Sequence, residues 1–233
     1  MTDKVVVLTG AGMSADSGLA TFRDSGGLWE GYDVYEVATP EGWNSDPERV
    51  LEFYNLRRKQ ASEAEPNEGH KALARLEESY DVSIITQNVD DLHERAGSSH
   101  VIHLHGELRK VRSVKNENLL YDIGSKSIQI GDTAEDGAQL RPHVVWFGEM
   151  VPMIEKAASV IETADILIVI GTSLVVYPAA GLIDYAKTDI EKHIIDPAKP
   201  ELRSYRNWHH IEERASTGTP ELVNKLLSNS SNS

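Results

Sequence analysis

The chain has 233 residues, 40% of them hydrophobic, a formal net charge of −14 and no cysteine. That length supports one large domain, or a domain plus a small insertion. The acidic balance argues against nucleic acid, and the missing cysteines exclude disulfides, a thiolate nucleophile and a thiolate metal site. No apolar run is long enough to span a membrane and no N-terminal apolar targeting segment stands out, so a cytoplasmic protein, a monomer by default, is expected.

In chain order, the β-branched run Val5-Val6-Val7-Leu8 enters a turn, Gly10-Ala11-Gly12, from which a helix should leave. Gly10-x-Gly12-x-x-Ala15 fits a relaxed dinucleotide fingerprint, with free N–H groups at the helix start favouring an anion. A strand-to-helix turn without a ligand is the alternative. Residues 19–29 show no strand pattern and carry a lone Arg. They read as a flexible loop over the turn, and the missing second strand and ribose-binding acid speak against a dehydrogenase.

A helix is expected over 47–61, where Tyr54 and Arg57, three apart, share a face. Arg57 on such a face reads most simply as a rim residue covering apolar surface with its stem. A turn at 66–69 and a helix over 70–80 lead to a buried strand, 82–86, which ends in Gln87, Asn88 and Asp90. A short helix over 91–96 stops at Gly97, and a strand over 101–105 delivers His105. Residues 107–139 are polar and contain the alternation Ser127-Ile128-Gln129-Ile130. They suggest small antiparallel strands or a hairpin inserted between core strands, with 141–149 returning to the core.

A helix over 153–164 precedes the most apolar strand, 166–170, which runs into Gly171-Thr172-Ser173. A helix over 177–186, a strand ending at Asp196, a strand over 208–212 and a helix over 220–227 follow, and the polar tail 228–233 should be disordered. Strands alternating with helices predict an α/β fold, a Rossmann-like doubly wound parallel sheet with a small inserted antiparallel/helical module. The expected organisation is a single domain over 1–233. A helical insertion occupies 30–80 and the small module 107–140.

Several strand ends thus deliver Gly10 and Gly12, Gln87, Asn88 and Asp90, His105, Gly171-Thr172-Ser173 and Asp196 toward one crevice. With Ser14-Ala15-Asp16-Ser17-Gly18, Thr21-Phe22-Arg23, Thr86-Gln87-Asn88-Val89-Asp90, His105-Gly106 and Val145-Trp146-Phe147-Gly148-Glu149, this set resembles the sirtuin family of NAD-dependent protein lysine deacylases. The motifs run over most of the chain in family order.

The resemblance implies NAD as cofactor and acyl-lysine proteins or peptides as partners. The acyl-lysine carbonyl oxygen attacks the ribose carbon as nicotinamide leaves, giving free lysine, nicotinamide and acyl-ADP-ribose. It implies catalytic roles for His105, as the base toward a ribose hydroxyl, and for Asn88. Cofactor contacts would come from Gly10, Ala11, Gly12, Ser14, Phe22, Arg23, Gln87, Asn88, Asp90, Gly171, Thr172, Ser173, Asp196 and Ala215. An imidazole pKa near 6.5 suits the base. Taken alone, His105 could be structural, Gln87-Asn88 could cap the next helix, and His103 could mimic a metal pair. No third metal ligand is evident, so His103 reads as ordinary. The family usually has Asn where this chain has Asp196, and a carboxylate there favours NAD over NADP.

Val145, Phe147, Gly148 and Glu149, with Val175 and Tyr177, correspond to the segments that sandwich the substrate peptide as an added strand. An ordinary core strand over 144–147 is the competing reading. Ala38, Tyr54 and Arg57 resemble the acyl pocket of the branch preferring succinyl- and malonyl-lysine, with deacetylation still open. An Arg fork and a Tyr hydroxyl can pair with a distal carboxylate. Most sirtuins carry a zinc ribbon with two Cys-x-x-Cys pairs. Here Ser113, Asn116, Thr133 and Asp136 stand about where the thiolates would be, so no metal and a zinc-free enzyme are expected. A non-catalytic NAD or acyl-lysine binding module and a protein mono-ADP-ribosyltransferase are the alternative functions.

Overall fold

The structure is a computed structural model that describes every residue except 1, 21–27, 30, 201, 203–205 and 231–233. The first strand, β1 (Lys4–Thr9), runs into a single helical turn, α1 (Gly12–Ala15). A short hairpin, β2 (Leu28–Trp29) and β3 (Tyr32–Asp33), leads to α2 (Val34–Val37), α3 (Pro40–Ser45) and α4 (Pro47–Glu63). Next come α5 (Glu68–Leu76), β4 (Asp81–Thr86), α6 (Leu92–Ala96) and β5 (Val101–His103). A small antiparallel sheet is built from β6 (Gly106–Ser113), β7 (Leu120–Asp122) and β8 (Leu140–Val144). The chain then makes α7 (Ile154–Glu162), β9 (Ile166–Ile170), a 3₁₀ helix (Ala179–Tyr185), β10 (Glu191–Ile195), β11 (Trp208–Ile211) and α8 (Ala215–Ser230).

The main sheet is parallel throughout, in the order β5-β4-β1-β9-β10-β11. Successive strands move outward from β1 to β5, then restart on the other side of β1 at β9. This is the doubly wound order with its switch point between β1 and β9. Alternation along each strand builds two cores. Val5, Val7, Ile84 and Ile168 face Leu73 and Leu76 of α5 and Val223 of α8. Val6, Leu8, Ile85 and Val169 face Ala157 and Ile161 of α7 and Leu182 of the 3₁₀ helix. Each such buried aliphatic side chain contributes about 1.5–3 kcal/mol.

A third, smaller core joins α4 to the antiparallel sheet through Phe53, Tyr54, Leu108, Val144 and Trp146. Helix α4 begins cleanly: Asp46 accepts from the Arg49 N–H at 3.0 Å and Pro47 occupies the first turn. Polar hooks complete the junction. The Asn55 carboxamide both donates to the Ile128 carbonyl (2.8 Å) and accepts from the Ile128 N–H (3.1 Å). Arg58 Nε donates to the Leu108 carbonyl at 2.6 Å.

Several local expectations are corrected. Residues 28–29 do pair, in a hairpin too short to leave a periodic pattern. Residues 127–130 are not a strand; Ile128 alone is buried there, and the Asn55 side chain takes its backbone groups. Segment 141–149 does not return to the main sheet: β8 pairs antiparallel with β6, and 145–149 is irregular. The expected helix over 177–186 is a 3₁₀ helix. Helix α5 starts earlier than expected, at Glu68, because Asn67 and His70 form a capping box. It packs on the main sheet rather than with α2–α4. Helix α8 extends through Ser230, so the first residues of the expected disordered tail are helical, and 231–233 lie outside the described residues.

Candidate active site

The switch point opens into a cavity of about 970 Å³ lined by loops from both sides of the sheet. Gly10-Ala11-Gly12 after β1 and Gly171-Thr172-Ser173 after β9 meet at its floor. The Gly10 N–H donates to the Ile170 carbonyl (3.0 Å), Gly12 N–H to the Gly171 carbonyl (2.9 Å), and Met13 and Ser14 N–H to Gly10 and Ala11 carbonyls. These N–H groups are therefore not free for an anion, and α1 is a single turn. The anion cradle read from the fingerprint is reduced to the Ala11 N–H, which no carbonyl takes among the described residues. The glycines are needed because two backbones cross: a Cβ on Gly12 would lie 2.7 Å from Gly171 Cα, and one on Gly171 2.5 Å from Met13 N.

Above the floor, one polar chain fixes three side chains. Asn88 Nδ2 donates to Ser14 Oγ at 3.0 Å, and Ser14 Oγ donates to Asp90 Oδ2 at 3.0 Å. Asp90 Oδ1 accepts from the Leu92 N–H at 3.2 Å. Burial raises the Asp90 pKa against these hydrogen bonds. The Asn88 N–H is held by Thr86 Oγ1 (3.0 Å), and Gln87 Nε2 donates to Thr172 Oγ1 (3.1 Å), tying the β4 end to the β9 end.

His105 lies not in β5, which ends at His103, but in the turn before Gly106. Its Nδ1 is 3.0 Å from the Gln87 carbonyl. A carbonyl only accepts, so Nδ1 carries the proton and Nε2 keeps its lone pair in the neutral ring. Burial lowers the His105 pKa, with the Gln87 bond opposing, so the ring is neutral at pH 7. A partly buried, neutral imidazole lining a cavity can take a proton from a hydroxyl.

At one end of the cavity, Asp196 at the close of β10 is buried, with Oδ1 accepting from the Ala198 N–H at 2.9 Å. Ala215 opens α8 beside it, and Arg214 and Ser216 hold Asp16 at 2.9 and 2.6 Å. At the other end stand Ala38, Tyr54 and Arg57. Burial pushes the Tyr54 hydroxyl up to about 12. Arg57 is 9% exposed, with its guanidinium carbon 5.7 Å from the Phe53 ring centroid.

Val145, Phe147, Gly148 and Glu149 also line the cavity. The Val145 N–H donates to the His105 carbonyl and the Phe147 N–H to the Ala38 carbonyl, both at 2.9 Å. The Glu149 carboxylate faces inward to its own segment, bound to both Arg141 terminal nitrogens (2.7 and 3.2 Å) and to the Trp146 N–H (2.8 Å). Val175 and Tyr177 are exposed at the rim. Phe22 and Arg23 lie outside the described residues.

Sequence reasoning missed Trp146, whose indole bonds Tyr54 and stacks 3.3 Å under the Arg141 guanidinium carbon. It also passed over Gln60, one helical turn beyond Arg57 and lining the same cavity. Spacing from Arg57 was the available signal for Gln60; Trp146 offered none beyond lying in the quoted segment.

Among the described residues no group of three or more His, Cys, Asp or Glu could hold a metal ion. Where thiolates would stand in a zinc ribbon, the donors do not fit zinc. Ser113 Oγ donates to Asp136 Oδ2 at 2.7 Å and accepts from the Lys115 and Asn116 N–H groups. Thr133 pairs with Gln139. No helix of the described residues is long and apolar enough to cross a membrane.

Comparison with known proteins agrees with this geometry. The Sir2 family model matches residues 10–178. A Helicobacter pylori NAD-dependent protein deacylase is 54% identical over 223 residues, covering 96% of this chain and 95% of the relative. A Bacteroides thetaiotaomicron protein of the same description is 53% identical over 228 residues, covering 96% and 97%. Among solved structures, a Sir2 homolog–NAD complex superposes with a TM-score of 0.88 at 40% identity, covering 98% of this chain and 91% of that one. Sir2Tm bound to a propionylated peptide superposes with a TM-score of 0.78 at 28% identity, covering 100% and 95%.

Proposed function

The chain belongs to the Sir2 family, and we propose that it is an NAD-dependent protein lysine deacylase that prefers succinyl- and malonyl-lysine over acetyl-lysine. The observation that carries this reading is one cavity holding a neutral His105 with a free Nε2 together with a Tyr54–Arg57 pair.

The residues present fit NAD. The cavity runs from Asp90 to Asp196 and Ala215 across the switch point, where doubly wound sheets bind dinucleotides. Bound there, NAD supplies a glycosidic bond to a cationic nicotinamide, a good leaving group. Asp196 would accept hydroxyls of the adenosine ribose, and its charge would repel a 2′-phosphate. Asn88, oriented by Ser14, leaves its amide oxygen to accept a ribose hydroxyl. Asp90 would hold the nicotinamide carboxamide. His105 Nε2 would receive the proton of a ribose hydroxyl, and Nδ1–H stays on the Gln87 carbonyl throughout. Gly10, Ala11, Gly12 and Gly171-Thr172-Ser173 would form the floor beneath the cofactor.

Val145, Phe147, Gly148 and Glu149 on one side, and Val175 and Tyr177 on the other, would receive an extended peptide as an added strand. Its acyl-lysine would then pass His105 and reach Ala38, Tyr54 and Arg57. The guanidinium can fork a distal carboxylate, and Tyr54 can donate its hydroxyl proton because the Trp146 Nε1–H occupies its oxygen. A short acetyl group offers the Tyr54 phenol proton no carboxylate to accept it.

The test is nicotinamide release with NAD and one peptide carrying acetyl-, malonyl- or succinyl-lysine. Faster turnover of the acidic acyl groups, lost in His105→Ala, is expected. A preference for acetyl would remove the acyl assignment. Full activity of His105→Ala would remove the mechanism. ADP-ribose retained on protein would favour transferase chemistry.

A further inference from the structure

His103 and His105 hold successive carbonyls of the same loop. His105 Nδ1 meets the Gln87 carbonyl at 3.0 Å and His103 Nδ1 meets the Asn88 carbonyl at 3.2 Å. Both Nδ1 atoms must therefore donate. The rings differ at their other nitrogen. His103 Nε2 sits 2.7 Å from Glu94 Oε1, whereas His105 Nε2 has no partner among the described residues. An ionised carboxylate also only accepts, so His103 makes both bonds only as an imidazolium. The His103 side chain is 8% exposed and that of Glu94 39%, so the pair is shielded on the histidine side and open to water on the carboxylate side.

We propose that His103, held as an imidazolium by Glu94, is a positioning residue for deacylation, because it pins the Asn88 peptide that aims Asn88 and Asp90 into the cavity. This rests on the deacylase reading above. The groups around His103 agree on its charge. Glu94 comes from α6, Glu107 from β6 and Asp90 from the pinned loop itself, all acidic. Lys110 of β6 lies near Glu94 and favours its ionised form. His93 of α6 is kept neutral by burial. Burial opposes the His103 charge, but the Glu94 bond and the surrounding acids prevail and its pKa stands above the ordinary value.

The sequence thus places two histidines two residues apart and the fold gives them opposite states. His105 is neutral and open to the cavity; His103 is charged and turned to the loop. Activity should need His105 unprotonated and His103 protonated, which sets an acid limb and an alkaline limb. On the alkaline side, losing a ring proton breaks either the Asn88 or the Glu94 bond.

The experiment measures kcat and KM for a succinyl-lysine peptide between about pH 5.5 and 9 in wild type, Glu94→Gln and His103→Gln, with an NMR titration of the His103 ring. Glu94→Gln keeps an acceptor but removes the charge. Its alkaline limb in kcat should move to lower pH, so that its deficit against wild type is several-fold larger at about pH 8.5 than at about 6.5. His103→Gln can still donate to the Asn88 carbonyl but does not titrate, so its alkaline limb should vanish. Superimposed profiles, or an equal loss at every pH, would overturn the proposal. A His103 ring titrating below its ordinary value would overturn it too. A wild type that releases no nicotinamide from any acyl peptide would instead defeat the deacylase reading, while the ring titration still decides the ion pair.

Discussion

The indole Nε1–H of Trp146 donates to the Tyr54 hydroxyl across 3.1 Å. Trp146 belongs to the segment proposed to receive the peptide, and Tyr54 to the helix proposed to read the acyl group. One hydrogen bond therefore joins the two halves of substrate recognition. Because an indole N–H only donates, it fixes Tyr54 as acceptor toward Trp146 and leaves the phenol proton for a ligand.

Removing that proton should cost the acidic substrates alone. Tyr54→Phe is expected to lower kcat/KM for succinyl-lysine by roughly ten- to a hundredfold, from the ~1.5–3 kcal/mol of a hydrogen bond to a charged group. Acetyl-lysine turnover should change by less than about threefold. Arg57→Met should act in the same direction and more strongly, since it removes the charge as well. Parallel peptide kinetics check both, and an equal loss on acetyl and succinyl peptides would reassign the pair to packing.

Two buried histidines predict acid sensitivity. His70 is fully buried, burial pulls its pKa down to about 4, and the neighbouring His93 is pulled well below its ordinary value. Between pH 6.5 and 4 the unfolded chain binds protons at these positions and the native state does not. Stability therefore falls as pH drops through that window, by about 3 kcal/mol for His70 alone near its lower end. His70 Nδ1 also accepts the Asn67 N–H in the capping box, a role Gln can fill. His70→Gln should therefore keep the unfolding free energy near neutral pH and flatten its fall toward about pH 4.5, as read by denaturant melts across pH.

Much of this was legible in sequence, for identifiable reasons. The runs at 5–8 and 166–170 are apolar on both faces, which only strands covered by helices on both sides require, so the doubly wound sheet followed. Hydrogen-bond satisfaction was not legible. The turn at Gly10-Ala11-Gly12 looks like a full anion cradle until the Ile170 and Gly171 carbonyls, some 160 residues away, are seen to take the Gly10 and Gly12 N–H groups. His103 looked ordinary because periodicity places it beside His105. Its charge comes from Glu94 and the Asn88 carbonyl, which only the fold brings to it.

The crossing of the two glycine turns is steep enough to test. Gly171 has φ of +60°, and a Cβ there would lie 2.5 Å from both Gly12 C and Met13 N. Gly124 has a similar φ of +59° with open space around it. Gly124→Ala should therefore cost only the left-handed strain, about 1 kcal/mol. Gly171→Ala should cost that plus about 1–3 kcal/mol of overpacking, and should weaken NAD binding by calorimetry as the floor shifts. Equal stability losses in the two variants would refute the close crossing.

The small module should hold without metal. Its sheet is tied to α4 by Asn55 and Arg58, and its loop ends are joined by the Ser113 hydroxyl, which donates to Asp136 while accepting two N–H groups. Asp136 accepts further from the Ala138 N–H at 3.0 Å. A hydroxyl and a carboxylate so arranged do by hydrogen bonding what four thiolates do through zinc, and neither is a donor that zinc selects for a structural site. A strong chelator should leave both the melting temperature and nicotinamide release unchanged, and elemental analysis should find well under one zinc per chain. Ser113→Ala should loosen the 113–136 junction, seen as faster amide exchange at Lys115, Asn116 and Ala138, with cofactor affinity preserved because the junction lies apart from the cavity floor. Stoichiometric zinc, or activity lost on chelation, would mean that ligands outside this Ser113–Asp136 junction hold a metal.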